Sequence, residues 1–161
     1  MIALCEAWLR ENLPRCEELV LLHGDYRPGN YLFDPDSGKF TAILDWELAH
    51  IGDFHQDLGY SLVGLFRTGN ERDGVLCLGL MSEADLIARY ESETGRRVDR
   101  GTLHFYHVLS SWSLLIMALA TGLRAARDAQ NHGDVLLTML STIGARLIME
   151  IAGLIEKDIR A

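Results

Sequence analysis

The 161-residue chain is poor in lysine and in positive charge. Lys39 and Lys157 are its only lysines, and 15 basic residues against 23 acidic ones give a net charge of −8. A nucleic-acid-binding surface needs a basic face, so this balance argues against a nucleic acid as a partner. The acidic excess is compatible with cationic substrates, but acidic proteins are too common for the charge to decide that.

The chain also has few cysteines. They are odd in number and form no C-x-x-C pair: Cys5, Cys16 and Cys77. This favours small buried hydrophobic side chains in a reducing cytoplasm over a disulfide framework. Three charged residues interrupt the first 14 positions, Glu6, Arg10 and Glu11. We therefore predict neither a signal peptide nor a membrane span there, and expect a cytoplasmic protein with no membrane partner.

A length of 161 residues with 48% hydrophobic and 24% charged residues is ordinary for a globular protein. It predicts a single domain over residues 1–161. Apolar residues at helical spacing predict a first helix over residues 2–13, ended by Pro14. A short apolar run, LVLL, then leads directly into His23, as a buried strand would.

The most informative stretch covers residues 21–57. Within it His23, Asp25 and Asn30 form H-x-D-x-x-x-x-N. In a kinase catalytic loop the Asp of this pattern accepts the substrate hydroxyl proton, and the Asn holds a magnesium ion. We predict the same roles for Asp25 and Asn30, and expect His23 to orient the loop backbone rather than do chemistry.

A β-hairpin is predicted directly after this loop. The aromatic and apolar runs 31–34 and 40–44 flank Pro-Asp-Ser-Gly, whose residues suit a four-residue turn. Such a hairpin would return Asp45 to the neighbourhood of Asn30. Carboxylate and amide oxygens would then converge on one Mg²⁺ ion, a cation that prefers oxygen ligands. Asp45 would take the role of the Asp in a kinase D-F-G.

Other kinase parts are missing from the sequence. No G-x-G-x-x-G loop occurs before His23, and no lysine lies in the 22 residues that precede it. A kinase covers and grips the ATP phosphates with these parts, which lie in its N-terminal lobe. We therefore expect that lobe to be absent. The chain would be a fragment or truncated product, or a partner would supply the lobe, or catalysis would be lost.

The segments HGDYRPGN and ILDWELAHIGD together resemble the aminoglycoside phosphotransferase and choline kinase family. The sequence motif D-W-E-L-A-x-x-G-D is most similar to the branch associated with acyl-CoA dehydrogenases. The resemblance implies an α+β, mostly helical, protein-kinase-like C-terminal lobe with a small β-hairpin that carries the catalytic and metal-binding loops. It also implies ATP as co-substrate, Mg²⁺ as cofactor and a small-molecule alcohol as acceptor.

The resemblance also assigns supporting roles. It implies that Asp53 braces the catalytic loop through backbone amides, while Asp57 is expected to cap a helix that begins near Leu58. Phe54 replaces a proline common in the family and puts the local loop shape in doubt. The resemblance further implies an acceptor site beside the C-terminal helices, with these candidates: His104, His107, Ser110 and Trp112.

The roles of two other residues stay open in the sequence. Arg27 either contacts the transferring phosphate, with which a guanidinium pairs well, or is a solvated surface arginine. Glu47 either supports the metal ligands through hydrogen bonds, which we favour, or is itself a ligand. Trp46 is expected to anchor the core. Pro28 and Gly29 would set the turn that aims Asn30 inward.

A rival interpretation makes a zinc or iron site from one short acidic and imidazole-rich stretch: His50, Asp53, His55 and Asp57. The spacing does not follow one helical face, and no second pair of ligands appears at a matching interval. We therefore rank this site well below the magnesium site.

The rest of the chain predicts helices. One begins near Leu58, a polar loop covers residues 67–74, and a capping-box start at Ser82 opens a helix that Gly95 ends. Two long helices cover residues 103–126 and 135–159, with a break at residues 131–133.

Two function classes remain. The first is a small-molecule kinase or its C-terminal lobe. The second is a non-catalytic kinase-like module that binds a partner. A Ser/Thr protein kinase is disfavoured, because Asp53 follows Asp45 by only eight positions and no A-P-E segment follows. Apolar surface left uncovered by an absent lobe predicts a homodimer, or contact with the rest of a longer protein.

Overall fold

The computed structural model describes residues 1–70, 74–127 and 134–159. The chain divides into two compact units. One consists of Met1–Leu13 with Val108–Ala161, and the other of Pro14–His107. The expected single kinase-like domain over residues 1–161 stays a prediction.

The first unit is helical. Helix α1 spans Ile2–Glu11, the second half of α4 (Arg100–Arg127) contributes from residue 108 onward, and α5 spans Asp134–Ile159. The Trp8 indole Nε1 donates to the Asp158 carboxylate at 3.1 Å, which ties α1 to α5. Apolar side chains from all three helices form the core of this unit: Cys5, Leu9, Leu115, Leu147 and Ile151.

The second unit contains three two-stranded ribbons among its described residues, 14–70 and 74–107. Strand β1 (Val20–Leu22) pairs antiparallel with β4 (His50–Gly52), with Leu21 opposite Ile51. Leu22 is buried, whereas Leu21 and Ile51 are exposed on the other face, as the alternation of a strand requires. The predicted short strand before His23 is confirmed.

The second ribbon is the predicted hairpin. Strand β2 (Tyr31–Phe33) pairs with β3 (Phe40–Ile43), with Tyr31 opposite Ile43. The Asp34 carboxylate accepts the backbone N–H groups of Asp36 at 2.9 Å and Ser37 at 2.8 Å. An Asp that bonds its own turn in this way stabilises the reversal, so local chemistry is sufficient to place this hairpin.

The third ribbon corrects a prediction. Strand β5 (Arg67–Asn70) pairs with β6 (Gly74–Cys77), where a polar loop was expected over residues 67–74. The Arg67 guanidinium donates to the Leu62 carbonyl at 2.6 Å and to Glu83 at 3.1 Å. These contacts with residues outside the ribbon hold a polar strand that has no apolar alternation of its own.

Helices surround the ribbons of this unit. They are α2 (His55–Ser61), α3 (Glu83–Thr94) and the first part of α4. Ser82 caps α3 by accepting the Asp85 N–H at 3.1 Å, and Gly95 ends it at a φ of 71°, as predicted. The core of this unit is formed by Leu58, Leu62, Cys77, Ile87, Val98 and Leu103.

The two long C-terminal helices are also confirmed, whereas the predicted break at residues 131–133 lies outside the described residues. By length and composition α4 would pass for a membrane-crossing helix, a criterion that core helices of globular proteins also meet. The α+β, mostly helical class is as expected.

Candidate active site

The loop between β1 and β2 begins with His23, whose ring is buried. Its Nδ1 accepts the backbone N–H of Asp25 at 3.2 Å, and its Nε2 lies 2.8 Å from the Leu44 carbonyl oxygen. Because Nδ1 accepts, Nε2 carries the proton and donates it to that carbonyl. The ring therefore joins the start of the loop to the end of β3, an arrangement suited to orienting the backbone.

The carboxylate that braces this loop belongs to Asp57. Its Oδ2 accepts the His23 N–H at 2.7 Å, and its Oδ1 accepts the Gly24 N–H at 3.0 Å. Asp53 was expected in this role and Asp57 as a helix cap, and both expectations are wrong. Asp53 instead accepts the backbone N–H of His55 at 3.0 Å and its ring Nδ1 at 2.6 Å, at the start of α2.

Strand direction explains the exchange of roles between the two acids. In the β1–β4 ribbon Val20 lies opposite Gly52 and Leu22 opposite His50. A residue just after β4 therefore lies near the beginning of β1, one strand length from the loop that follows β1. Asp53 is such a residue, whereas Asp57 lies within α2 and reaches the loop.

The Asp25 carboxylate is surrounded by donors, and its side chain is 14% exposed. Asn30 Nδ2 donates to Oδ2 at 2.7 Å, and Arg27 Nε lies 3.0 Å from both oxygens. The Tyr60 hydroxyl donates to Oδ1 at 2.5 Å. The structure thus brings together the predicted base, its predicted neighbours and one tyrosine.

Tyr60 is the site residue that the sequence analysis missed. It lies in α2, three residues after Asp57, so both side chains are on one helical face. The three-residue spacing from Asp57 could have indicated that Tyr60 faces the same loop. A tyrosine in a helical pattern, however, is typical of a core residue. Burial, and then the hydrogen bond to Asp25, raise the pKa of the Tyr60 phenol well above its usual range.

Asn30 and Asp45 are neighbours, as the hairpin predicted. The Leu44 N–H donates to the Asn30 carbonyl at 2.8 Å, and Asp45 follows Leu44 with left-handed backbone angles of φ 66° and ψ 55°. The buried Asn30 amide uses its nitrogen on Asp25, which leaves its side-chain oxygen available to a cation. The Asp45 carboxylate and the Asn30 amide oxygen are donors of the kind that fits Mg²⁺.

A sequence model of the phosphotransferase enzyme family, APH, matches residues 2–101. The chain belongs to this family.

Individual proteins are similar to parts of this chain. Mouse acyl-CoA dehydrogenase family member 10 is 41% identical over 59 residues, which cover 37% of this chain and 6% of that protein. Aminoglycoside 3'-phosphotransferase of Streptomyces fradiae is 30% identical over 106 residues, 66% of this chain and 37% of that enzyme. A solved Ralstonia eutropha protein described as a candidate aminoglycoside phosphotransferase superposes with a TM-score of 0.77 at 24% identity. That match covers 96% of this chain and 49% of the other.

The chain thus spans less than two thirds of the length of each of these proteins. The superposition shows the kinase-like fold of the aminoglycoside phosphotransferases, which confirms the predicted fold class. The resemblance to both the aminoglycoside phosphotransferases and the acyl-CoA dehydrogenase relatives is also confirmed.

The residues after Asp45 differ from expectation. Trp46 was predicted to anchor the core, but it is 48% exposed and opens a short 3-10 turn, Trp46–Leu48. Its indole N–H donates to the Ile43 carbonyl at 2.8 Å, and its ring centroid lies 4.7 Å from that of His23. It therefore covers His23 from the outside. Glu47 follows on the surface, and neither of its two predicted roles is decided.

The acceptor-site candidates all lie on α4. His104 and His107 are one helical turn apart, in the unit that contains Asp25, whereas Ser110 and Trp112 belong to the other unit. His107 and Ser110 are buried. Their assignment to an acceptor site stays a prediction.

The rival zinc or iron site does not form. Across residues 1–70, 74–127 and 134–159, no group of three or more His, Cys, Asp and Glu side chains is arranged to hold a metal ion. His50 contacts the Leu48 carbonyl and Gln56, while His55 bonds Asp53 and accepts the Asp99 N–H at 3.0 Å. Asp57 faces the catalytic loop instead.

Proposed function

We propose that this chain supplies the catalytic and metal-binding loops of a small-molecule kinase. The kinase would transfer the γ-phosphoryl group of ATP to an alcohol hydroxyl. One observation carries the proposal: the Asp25 carboxylate is held by buried donors, one of them Asn30, and the backbone of Asn30 is hydrogen-bonded to Leu44, the residue before Asp45. Membership in the phosphotransferase family supports the reaction class.

In the proposed reaction Asp25 accepts the acceptor hydroxyl proton. The alcohol oxygen forms a bond to the γ-phosphorus, the bond between that phosphorus and the β–γ bridging oxygen breaks, and ADP leaves. Because the transition state is loose, Asp25 acts mainly by orienting the hydroxyl and takes the proton late. Burial of the carboxylate among fixed donors suits this orienting task.

Asn30 and Asp45 are the proposed magnesium ligands. When bound, Mg²⁺ would neutralise charge on the ATP phosphates, as it does in other kinases. Asp45 is exposed and Asn30 is buried, so the pair offers one outward carboxylate and one fixed amide oxygen. Glu47 is the proposed support for these ligands.

Arg27 is the proposed phosphate contact. Only its Nε is engaged with Asp25, and the side chain is 38% exposed. A guanidinium that turns outward could pair two of its N–H groups with phosphate oxygens. This motion would also free the edge of the Asp25 carboxylate that Arg27 covers.

The acceptor is proposed only as a class, a small-molecule alcohol. The name of the Streptomyces fradiae relative supports a hydroxyl acceptor. The sequence that begins at Asp45, D-W-E-L-A-x-x-G-D, supports the metabolic branch associated with acyl-CoA dehydrogenases. His104 and His107, which belong to the same unit as Asp25, are the proposed contacts of the acceptor. We further propose a cytoplasmic location, with neither nucleic acid nor membrane as partner.

Calorimetry with Mg·ATP tests the nucleotide site. We expect saturable, magnesium-dependent binding that is lost in Asp45→Asn, which removes a ligand charge while preserving shape. A phosphorylation screen over alcohols then tests turnover, which Asp25→Asn should abolish without unfolding the protein. Binding that is identical in Asp45→Asn would reject that residue as a ligand, and turnover retained in Asp25→Asn would reject the base.

A second candidate is a partner-binding kinase-like module without catalysis. Exposed apolar side chains on the β1–β4 ribbon and the hairpin favour it: Leu21, Ile51, Phe33 and Phe40. Such surface is typical of a protein interface. Failure of both calorimetry and turnover, together with self-association, would favour this alternative.

A further inference from the structure

We propose that Tyr60 is a positioning residue that fixes the Asp25 carboxylate for proton acceptance. The inference rests on the proposed function, because it assigns Asp25 as the base. Tyr60 is buried in α2, and its hydroxyl lies 2.5 Å from Asp25 Oδ1. At this distance the phenol is a strong, directional donor to a charged acceptor.

The backbone that carries Tyr60 is held closely. The preceding residue, Gly59, faces the backbone of α4: a Cβ atom at Gly59 would lie 2.7 Å from the Tyr106 carbonyl carbon and 2.8 Å from the His107 nitrogen. Only glycine permits this approach. The Tyr60 ring also packs against Phe66 at 5.0 Å between centroids. The hydroxyl therefore projects from a fixed point.

The three donors to Asp25 differ in freedom. Asn30 and Tyr60 are buried and hold one oxygen each, whereas Arg27 is partly exposed and shares one N–H between both oxygens. The Arg27 contact is an ion pair, but it is longer than the other two bonds, and its partly exposed guanidinium can be solvated when it leaves. An incoming alcohol can replace Arg27 while Tyr60 and Asn30 keep the carboxylate in place.

A phenol suits this task because it remains neutral. A lysine or arginine at this position would neutralise the charge that attracts the hydroxyl proton. Burial and the Asp25 charge both raise the pKa of Tyr60, so the phenol keeps its proton throughout the neutral range. It thus orients Asp25 without exchanging a proton with it.

The test compares Tyr60→Phe with Tyr90→Phe in the full chain. Tyr90 is a half-buried tyrosine of α3 whose ring stacks on Phe54, so its variant removes a hydroxyl without touching the Asp25 group. The first readout is the pair of Asn30 side-chain amide signals in a ¹⁵N-resolved NMR spectrum, which needs no turnover. These protons report on the Asp25 carboxylate directly.

We expect Tyr60→Phe to shift or broaden the Asn30 signals and Tyr90→Phe to leave them unchanged. For an alcohol that is turned over, Tyr60→Phe should lower kcat by about 10- to 100-fold with little change in the KM for ATP. Unchanged Asn30 signals, or an unchanged kcat, would overturn the proposal. If the wild-type chain turns over no alcohol, the kinase proposal fails separately and the Asn30 signals alone decide whether Tyr60 fixes Asp25.

Discussion

His23 and Leu44 join the two halves of the candidate site, because the His23 Nε2 donates to the Leu44 carbonyl at 2.8 Å. The imidazole spans from the loop that carries the base to the strand end that carries Asp45. His23→Ala should therefore separate the two loops. We expect a loss of about 1–3 kcal/mol in the free energy of unfolding, measured with urea, because the buried imidazole and both of its hydrogen bonds are removed.

His50→Ala is the matched control for this variant. His50 is exposed, so its loss should change the free energy of unfolding by no more than about 0.5 kcal/mol. Magnesium-dependent ATP binding should weaken in His23→Ala and persist in His50→Ala. Equal effects of the two variants would show that His23 does not join the loops.

Asp57 and Asp53 make a second matched pair. An Asn at position 57 has one acceptor oxygen for the two N–H groups that the carboxylate now holds, those of His23 and Gly24. Asp57→Asn should speed hydrogen exchange at both amides and cost about 1–3 kcal/mol of stability. Asp53→Asn should leave exchange at these two amides unchanged. The reverse pattern would restore the role first predicted for Asp53.

The sequence predicted those parts of the site whose geometry is local. Asp34 bonds the turn that it belongs to, so the hairpin and the return of Asp45 to Asn30 followed from neighbouring residues. The role of Asp57 depends instead on the direction of the β1–β4 ribbon, which no spacing within residues 53–57 reveals. The resemblance assigned the brace to Asp53, and only the register of the ribbon shows that Asp57 takes this role.

Two further differences between the sequence predictions and the structure also arise from contacts between distant segments. Trp46 is large and apolar, so composition alone places it in a core, yet it covers His23 from the solvent side. Tyr60 contacts Asp25 across 35 residues of sequence, and only the packing of α2 determines where its hydroxyl points. Contacts between distant segments, rather than residue type, determine the positions of Asp57, Trp46 and Tyr60.

Gly24 is required by the space around it. Its φ is 82°, and a Cβ atom there would lie 2.5 Å from the Leu48 carbonyl oxygen. Gly24→Ala should cost more than the ~1–2 kcal/mol of a left-handed alanine, because the backbone must also move. Gly38 has a φ of 66° with nothing within 4 Å, so Gly38→Ala gives the cost of the backbone angle alone. Equal urea midpoints for the two variants would contradict the steric argument.

Asp99 predicts a pH-dependent contribution at the start of α4. Its Oδ1 accepts the Thr102 N–H at 2.7 Å, and this hydrogen bond lowers the pKa of Asp99 below its usual range. A lowered pKa in the folded state means that the stabilisation is present above the unfolded value, about 3.9, and is lost as the pH falls below it.

Asp99→Ala should therefore cost about 1 kcal/mol at pH 7, the usual value of a helix cap, and much less at pH 3. Asp99→Asn keeps an acceptor oxygen and should lie close to the wild type at pH 7. Urea unfolding of the three proteins at both pH values gives the comparison. A wild-type advantage over Asp99→Ala that is as large at pH 3 as at pH 7 would assign the stabilisation to something other than the ionised carboxylate.

Leu21 and Ile51 predict association through the β1–β4 ribbon. They lie opposite each other on its outer face, with 63% and 62% of their surface exposed. An apolar cross-strand pair in water favours burial against another surface. Leu21→Glu should therefore reduce self-association in sedimentation velocity, with little loss of stability because the side chain is exposed.

Leu13→Glu is the control: it changes a leucine that is 74% exposed in the helical unit and should leave the association unchanged. A wild-type protein that sediments as a monomer at every concentration, or equal effects of the two variants, would reject this ribbon as the contact between copies.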